Sequence, residues 1–372
     1  MNYPYQPTTN ILPLLGEQEY DFESLCFSLD KPVPEPVPVL AIGGKIICTA
    51  GNLSILAGQA KSGKSAVMMA ILAATLALPG DATVDVLALQ VAANPKYLAV
   101  LHFDTEQSEF HQDKSFRGAY RRVSRSQNTD YFRSFNLRIY SLTERRQFVE
   151  KCLAFYAEVR GGIFFWVLDG VADMVSSPND EAEVNEVIEW ATKLCIKYNC
   201  PMITVLHYNP GTDKARGHLG SSLERKCESY LQVVKIADTT LSQLTAKIAR
   251  STHELLVPAI NFEYDEQKGY HVTRQVISPQ HRADAKEHDK KVKQEAEVEN
   301  TRLELTENFS DIFEACFPEG LARRVDVIDA WMDLIGGSKR TAESRIKTAL
   351  NMQILEKGDL EKYKLISKKS AQ

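Results

Sequence analysis

The stretch GQAKSGKS, Gly58 to Ser65, constrains this chain more than any other. Two glycines with four residues between them, followed by Lys and Ser, form the pattern of a phosphate-binding loop. Gly58, Gln59, Ala60, Lys61, Ser62 and Gly63 supply backbone N–H groups that can turn inward around a triphosphate. Lys64 adds an ammonium group for the outer phosphates, and Ser65 a hydroxyl for Mg²⁺. The motif requires a strand before it and a helix after it. Residues 52–57 (NLSILA) are short and apolar, and residues 66–78 (AVMMAILAATLAL) are strong helix formers ending at Pro79-Gly80. A helix this apolar cannot face water. It must lie against a sheet, which predicts an α/β fold built around a nucleotide site.

A chain of 372 residues allows two to three domains. Its formal net charge of -5 excludes a polycation that coats nucleic acid, so any such contact is local. The seven cysteines include no CxxC pair, the pattern of reduced thiols in a cytoplasmic protein. The longest apolar run falls short of a bilayer span, and the N-terminus lacks a signal layout, so no membrane association is expected.

In chain order, residues 1–42 read as a proline-rich leader containing KPVPEPVP at 31–38, and residues 43–49 as a first strand. A buried strand at 97–103 ends in Asp104-Thr105-Glu106. An acid at the C-terminal edge of a parallel strand suits Glu106 as general base for water, and the same residues also fit a helix start. The segment 114–125 (KSFRGAYRRVSR) reads as a solvated basic helix face or as the border of a nucleic-acid channel. A strand at 136–140 and a helix at 144–160 follow. The apolar strand within 162–170 ends in Asp169, a second candidate for holding Mg²⁺ opposite Ser65. A helix at 182–199 buries Val184, Val187, Ile188, Ala191 and Leu194. The strand 201–206 then delivers His207, either a reporter of the terminal phosphate or an ordinary turn residue. Residues 213–226 read as a Gly-rich basic loop entering a helix, and strands at 229–236, 241–248 and 259–263 as an antiparallel extension.

With GQAKSGKS, FDTEQS, FFWVLDG, LHYN and RGHLGSSLERK in this order across residues 43–272, the chain resembles the RecA-like ATPases of the RepA and DnaB-type replicative helicase group. The resemblance implies a RecA-like core, a mostly parallel sheet flanked by helices, spanning 43–276. It implies ATP and Mg²⁺ as cofactors, Lys64 and Glu106 as catalytic residues, and His207 as phosphate sensor. It also implies an arginine finger from a neighbouring subunit. Arg250, beside Lys247, takes that role, with Arg216 and Arg225 as alternatives. A shared site implies a homo-oligomer, a hexamer by resemblance.

Residues 277–304 are charge-dense and read as a linker or solvated helix. Beyond them, helices at 305–317, 322–335 and 338–352 and a hairpin at 355–366 resemble a winged helix-turn-helix, giving a domain over 305–372. The second of these helices is expected to bury Val325, Ile328, Met332 and Ile335. From Gly336 to Lys369 nine basic residues face four acidic ones. That balance suits DNA, with Arg340, Ser344, Lys347 and Asn351 on the outer helix face; a protein-binding winged domain is the other reading. Together these point to an ATP-dependent motor acting on single-stranded or duplex DNA. An ATP-gated DNA-binding regulator or replication initiator is the alternative, and a phosphotransferase ranks below both.

Overall fold

The apolar runs that bracket the phosphate loop lie side by side in one sheet. The structure, a computed structural model, describes residues 26–30, 32–33, 35–77, 84–209, 212, 217–358 and 362–366. The leader's first 25 residues, Pro79-Gly80, Arg216 and the hairpin tip at Asp359 lie outside these. The nucleotide-site strand β3 (Leu53–Gly58) is followed by α1 (Lys64–Leu76), as the motif requires. Alternation then continues through β5 (Ala99–Asp104), α2 (Glu109–Arg122), β6 (Phe132–Asn136), α3 (Leu142–Arg160), β7 (Ile163–Asp169), α4 (Glu181–Lys197), β8 (Met202–His207), α5 (Gly217–Lys226) and β9 (Ser229–Lys235). The strand order is β12-β11-β10-β9-β3-β8-β7-β5-β6, with β10 (Ser242–Ala249), β11 (Ala259–Asp265) and β12 (Tyr270–Ile277) completing the sheet. β6, β5, β7, β8, β3 and β9 are parallel, and β10 to β12 run antiparallel. This is an α/β architecture: a mostly parallel sheet with helices on both faces. Seven of its strands, β3, β5, β7, β8, β9, β10 and β11, match expected ones closely. β9 is parallel to β3 and so belongs to the parallel core, not to the antiparallel extension.

Both faces of the sheet are covered because its central strands are apolar on both sides. One core joins α1 and α2 to Leu56, Val100, Val167 and Val205; the other joins α3, α4 and α5 to Ile55, Leu101, Trp166 and Leu168. A fully buried side chain of this size contributes about 1.5–3 kcal/mol. α3 shows how local sequence sets an element's bounds. Ser141 and Glu144 form a capping box at its start, and Gly161, at φ 74°, turns the chain out of it.

Several elements depart from expectation. β1 (Pro38–Ile42) takes the end of the proline-rich leader into a three-stranded sheet with β2 (Lys45–Thr49) and β4 (Leu89–Val91). Pro38 sits at the first position of β1, where proline is tolerated, and Gly43-Gly44 turns the chain with both φ positive. The strand expected at 136–140 lies four residues earlier, because Phe132 packs into the core while Asn136 turns toward Gln107. Of residues 213–226, read as a loop entering a helix, 217–226 are helical and form α5, with Leu219 and Leu223 buried. β12 was not foreseen.

The C-terminal part has its own core. α6 (Pro279–Cys316) is a single helix of 38 residues, so of the two readings, linker or solvated helix, the stretch takes the helical one and is continuous with the helix expected from 305. It spans about 57 Å at the usual rise per residue. β13 (Leu321–Arg323), α7 (Arg324–Leu334), α8 (Lys339–Asn351), β14 (Leu355–Lys357) and β15 (Lys362–Leu365) complete it, with sheet order β13-β15-β14. α7 buries Val327, Ile328, Ala330 and Trp331, while Val325 is 63% exposed. Trp331 packs on Phe309 of α6 at 5.1 Å, and of the expected face Ile328 is buried, Met332 packs against the core and Ile335 is 39% exposed.

Candidate active site

Parallel strands present their C-terminal ends on one edge of the sheet, and four such ends build this site. In register, Gly58 stands beside His207, Val205 beside Asp169, and Asp169 beside Asp104. The phosphate loop leaves β3 with Lys61 at φ 61° and Gly63 at φ 106°. Gly58 is required for a separate reason, since a Cβ there would lie 2.2 Å from the Val233 carbonyl oxygen. Lys64 is buried at the head of α1, and its Nζ donates to the carbonyls of Gly58 and Gln59 at 2.9 and 2.8 Å. Burial lowers the pKa of this ammonium, opposed by the nearby Glu106 and Asp169 carboxylates. Ser65, one residue on, is exposed to the cleft. Gln59 ties the loop to the chain after β8, donating to Asn209 and Thr212 carbonyls at 2.8 and 2.6 Å.

The turn after β5 sorts its acids by role. Asp104 is fully buried; its Oδ1 accepts the N–H groups of Glu106 and Gln107 at 2.9 and 2.7 Å, and its Oδ2 accepts Gln107 Nε2 at 2.7 Å. Burial and the neighbouring Asp169 push its pKa up. Asp104 therefore fastens the turn, while Ser108 caps α2 by accepting from His111 N–H. Glu106, freed from capping, extends into the cleft, where its Oε2 accepts a hydrogen bond from His207 Nε2 at 3.0 Å. Thr105 donates to the carbonyls of Asp169 and Gly170 and so locks this turn to the end of β7. Gly170, at φ 105°, cannot be larger, because a Cβ would fall 2.1 Å from Thr105 Oγ1.

Lys61, Lys64, Ser65, Glu106, Asp169 and His207 thus line one cleft of about 280 Å³. The set fits a magnesium nucleotide: a backbone cradle at a helix N-terminus, an ammonium group, and a hydroxyl and carboxylate for the cation. His102, Asp104 and Asp169 also cluster with ligand atoms within 4.8 Å of one another, beneath this cleft. One cleft residue escaped the sequence reading. His271 reaches the cleft from β12, packed on Phe262 and Tyr264. Burial, with Arg122 and Lys235 nearby, pushes its pKa down to about 4. No motif marks it; only alternation in 270–277 could have revealed the strand that carries it.

The remaining candidates lie elsewhere. Arg250 follows β10 at the opposite edge of the sheet from the phosphate loop, since Ala249 pairs with Ser229, at the start of β9, and Gly58 with Val233. Its guanidinium donates to the Arg225 carbonyl at 2.5 Å. Arg225 itself donates to Ser222 Oγ at 3.0 Å. Lys247 pairs with Glu224 at 3.4 Å and stacks over Tyr230. Arg340, Ser344, Lys347 and Asn351 are all exposed, on the side of α8 opposite buried Ala342, Ile346 and Ala349. No helix among the described residues is long and apolar enough to cross a membrane.

A family model described as AAA domain matches residues 17–213, more than half of the chain, and takes in the phosphate loop, Glu106, Asp169 and His207. A comparison with curated proteins finds no match. Among solved structures, the crystal structure of the RadB recombinase is similar at 15% identity and a TM-score of 0.38, over 59% of this chain and 90% of that one.

Proposed function

The chain belongs to the AAA domain family and carries an ATP-hydrolysing domain; from that premise we propose that it is a DNA-acting motor, a RepA-like replicative helicase. The observation that carries the hydrolytic part is the convergence of Lys64, Ser65, Glu106, Asp169 and His207 from four strand ends into one cleft. In this reading residues 58–64 bind the phosphates, and Ser65 with Asp169 holds Mg²⁺. Bound Mg²⁺ would neutralise charge on the transferred phosphoryl group. Glu106 orients the attacking water and accepts its proton. His207 contacts the terminal phosphate.

The DNA part rests on the C-terminal elements. Helix, strand, helix, helix and hairpin in that order support the winged helix-turn-helix reading, in which the exposed face of α8 offers Arg340 and Lys347 to phosphates, Ser344 and Asn351 to base edges. Arg250 lies at the opposite sheet edge from its own subunit's phosphate loop, so in this reading it serves a neighbour's site within a ring, a hexamer by resemblance. One observation favours a second reading, an ATP-gated DNA-binding regulator: Glu106 Oε2 is already engaged by His207.

Turnover of ATP with and without single-stranded and duplex DNA tests both. The motor reading expects strong stimulation by single strands, lost in Lys64→Ala and reduced by about 10²–10⁴ in Glu106→Gln. Binding of ATP without turnover on any DNA would leave the regulator.

A further inference from the structure

We propose that α2 carries a second nucleic-acid contact, a ridge that grips the phosphates of a single strand without reading its bases. The proposal rests on the DNA-acting reading above but uses none of its residues.

The ridge grows from the sequence KSFRGAYRRVSR, which holds five basic residues and no acidic one in a chain of net charge -5. Helical spacing sorts them. Arg122 turns inward: it is buried, donates to the Asp85 carbonyl and lies over the Tyr270 ring at 4.5 Å. Arg117, Arg121 and Arg125 instead line an open groove of about 690 Å³, with Asp113 its acidic residue and Gln127 and Asn128 at its end. Arg117 pairs with Asp113 at 2.7 Å, but both are exposed, and such pairs exchange readily for other anions. Arg125 has a buried Nη2 with no hydrogen-bond partner among the described residues, while its Nη1 makes a long contact of 3.5 Å with Tyr131 Oη. Among the described residues, two of the three guanidiniums are thus uncommitted to any acid.

The chemistry selects the occupant. Arg117 and Arg121, one helical turn or about 6 Å apart on α2, and Arg125, just past its end, present paired donors around one groove, which suits a chain of phosphates better than one isolated anion. Flanking amides add neutral donors of the kind that contact backbone oxygens. Within the groove no ring is free to stack, because Tyr120 is 6% exposed and Phe116 is stacked on Phe132 at 5.2 Å; Phe110, exposed at the start of α2, lies outside it. The groove therefore offers contacts to the strand's backbone, which carry no sequence. It also borders the nucleotide cleft: Arg121 lines both the groove and an adjoining crevice shared with Lys114, Ser65 and His271. A strand on the ridge lies one side chain away from the phosphate-loop helix.

The test measures binding of a labelled oligothymidylate to the full chain by fluorescence anisotropy over a series of salt concentrations. Arg117→Glu with Arg125→Glu should weaken binding at least about tenfold and flatten the salt slope by about 1.4, the loss of two single-strand phosphate contacts. Arg117→Lys with Arg125→Lys should keep the slope. The neutral pair Arg117→Gln and Arg125→Gln, checked by circular dichroism, should weaken binding less than charge reversal, and serves if the reversed chain does not fold. Unchanged affinity and slope in these variants, with binding lost in Arg340→Glu with Lys347→Glu, overturns the ridge and leaves the DNA-acting reading standing. A wild-type chain that binds no strand overturns both. A change in sedimentation without a change in slope overturns the ridge and makes this face a contact between copies.

Discussion

At the level of single residues, the active-site edge separates groups that look alike in sequence. Asp104 and Glu106 stand two apart in FDTEQS, yet one is buried and satisfied by two N–H groups and an amide, and the other reaches the cleft. Strand geometry explains this. A residue still in the sheet points into a covered face, while the one past its edge is free to turn outward. His271 is the residue whose burial has a measurable consequence. Its imidazole titrates near 6.5 when the chain is unfolded and near 4 when folded. Between those values the unfolded state binds more protons, so stability is retained above pH 6.5 and falls as pH drops toward 4. Thermal melts across that range should show a shallower acid fall in His271→Phe, whose ring can keep the packing on Phe262 and Tyr264. An equal fall in both proteins would assign the acid sensitivity to other groups.

Among elements, α6 joins the nucleotide-binding part to the C-terminal core, and its first turn is fastened at both levels of structure. Ser278 caps it by accepting from His281 N–H, and Arg282 donates to the carbonyls of Glu254 and Val257. Burial lowers the Arg282 pKa, with Glu254 opposing the shift, so this cation is held among backbone acceptors rather than by a close acid. Replacing it with Ala leaves those acceptors unpaired at a cost of about 1–3 kcal/mol. Amide hydrogen exchange in Arg282→Ala should accelerate over the first turns of α6 and not over 305–316, whose packing comes from Leu305, Phe309, Ile312 and Phe313. Uniform protection along α6 would mean that the anchor is redundant. The charge density of this stretch was plain in the sequence. The absence of Gly or Pro between 280 and 317 was plain too and permits one continuous helix; what local pattern could not decide is whether so polar a stretch stays helical, which rests on the packing that anchors its two ends.

For the whole molecule, the opposed positions of Arg250 and the phosphate loop make a clear prediction about assembly. If the finger acts across subunits, Lys64→Ala and Arg250→Ala are each inactive alone, and an equal mixture regains about one quarter of wild-type turnover, because one interface in four pairs an intact loop with an intact arginine. A mixture as inactive as its parts would exclude Arg250 from that role. The sequence by itself determined the phosphate loop, the strand and helix that frame it, Asp169 at the end of its strand, and the basic outer face of α8. Each of these is written in local pattern, where residue type, spacing and period suffice. Tertiary structure decided the rest: that Glu106 meets His207, that β12 delivers His271, that β9 runs parallel to β3, and that α7 buries Trp331 and leaves Val325 exposed. These depend on strand order and on which side chain fills which space, and both are fixed by contacts between residues far apart in the chain.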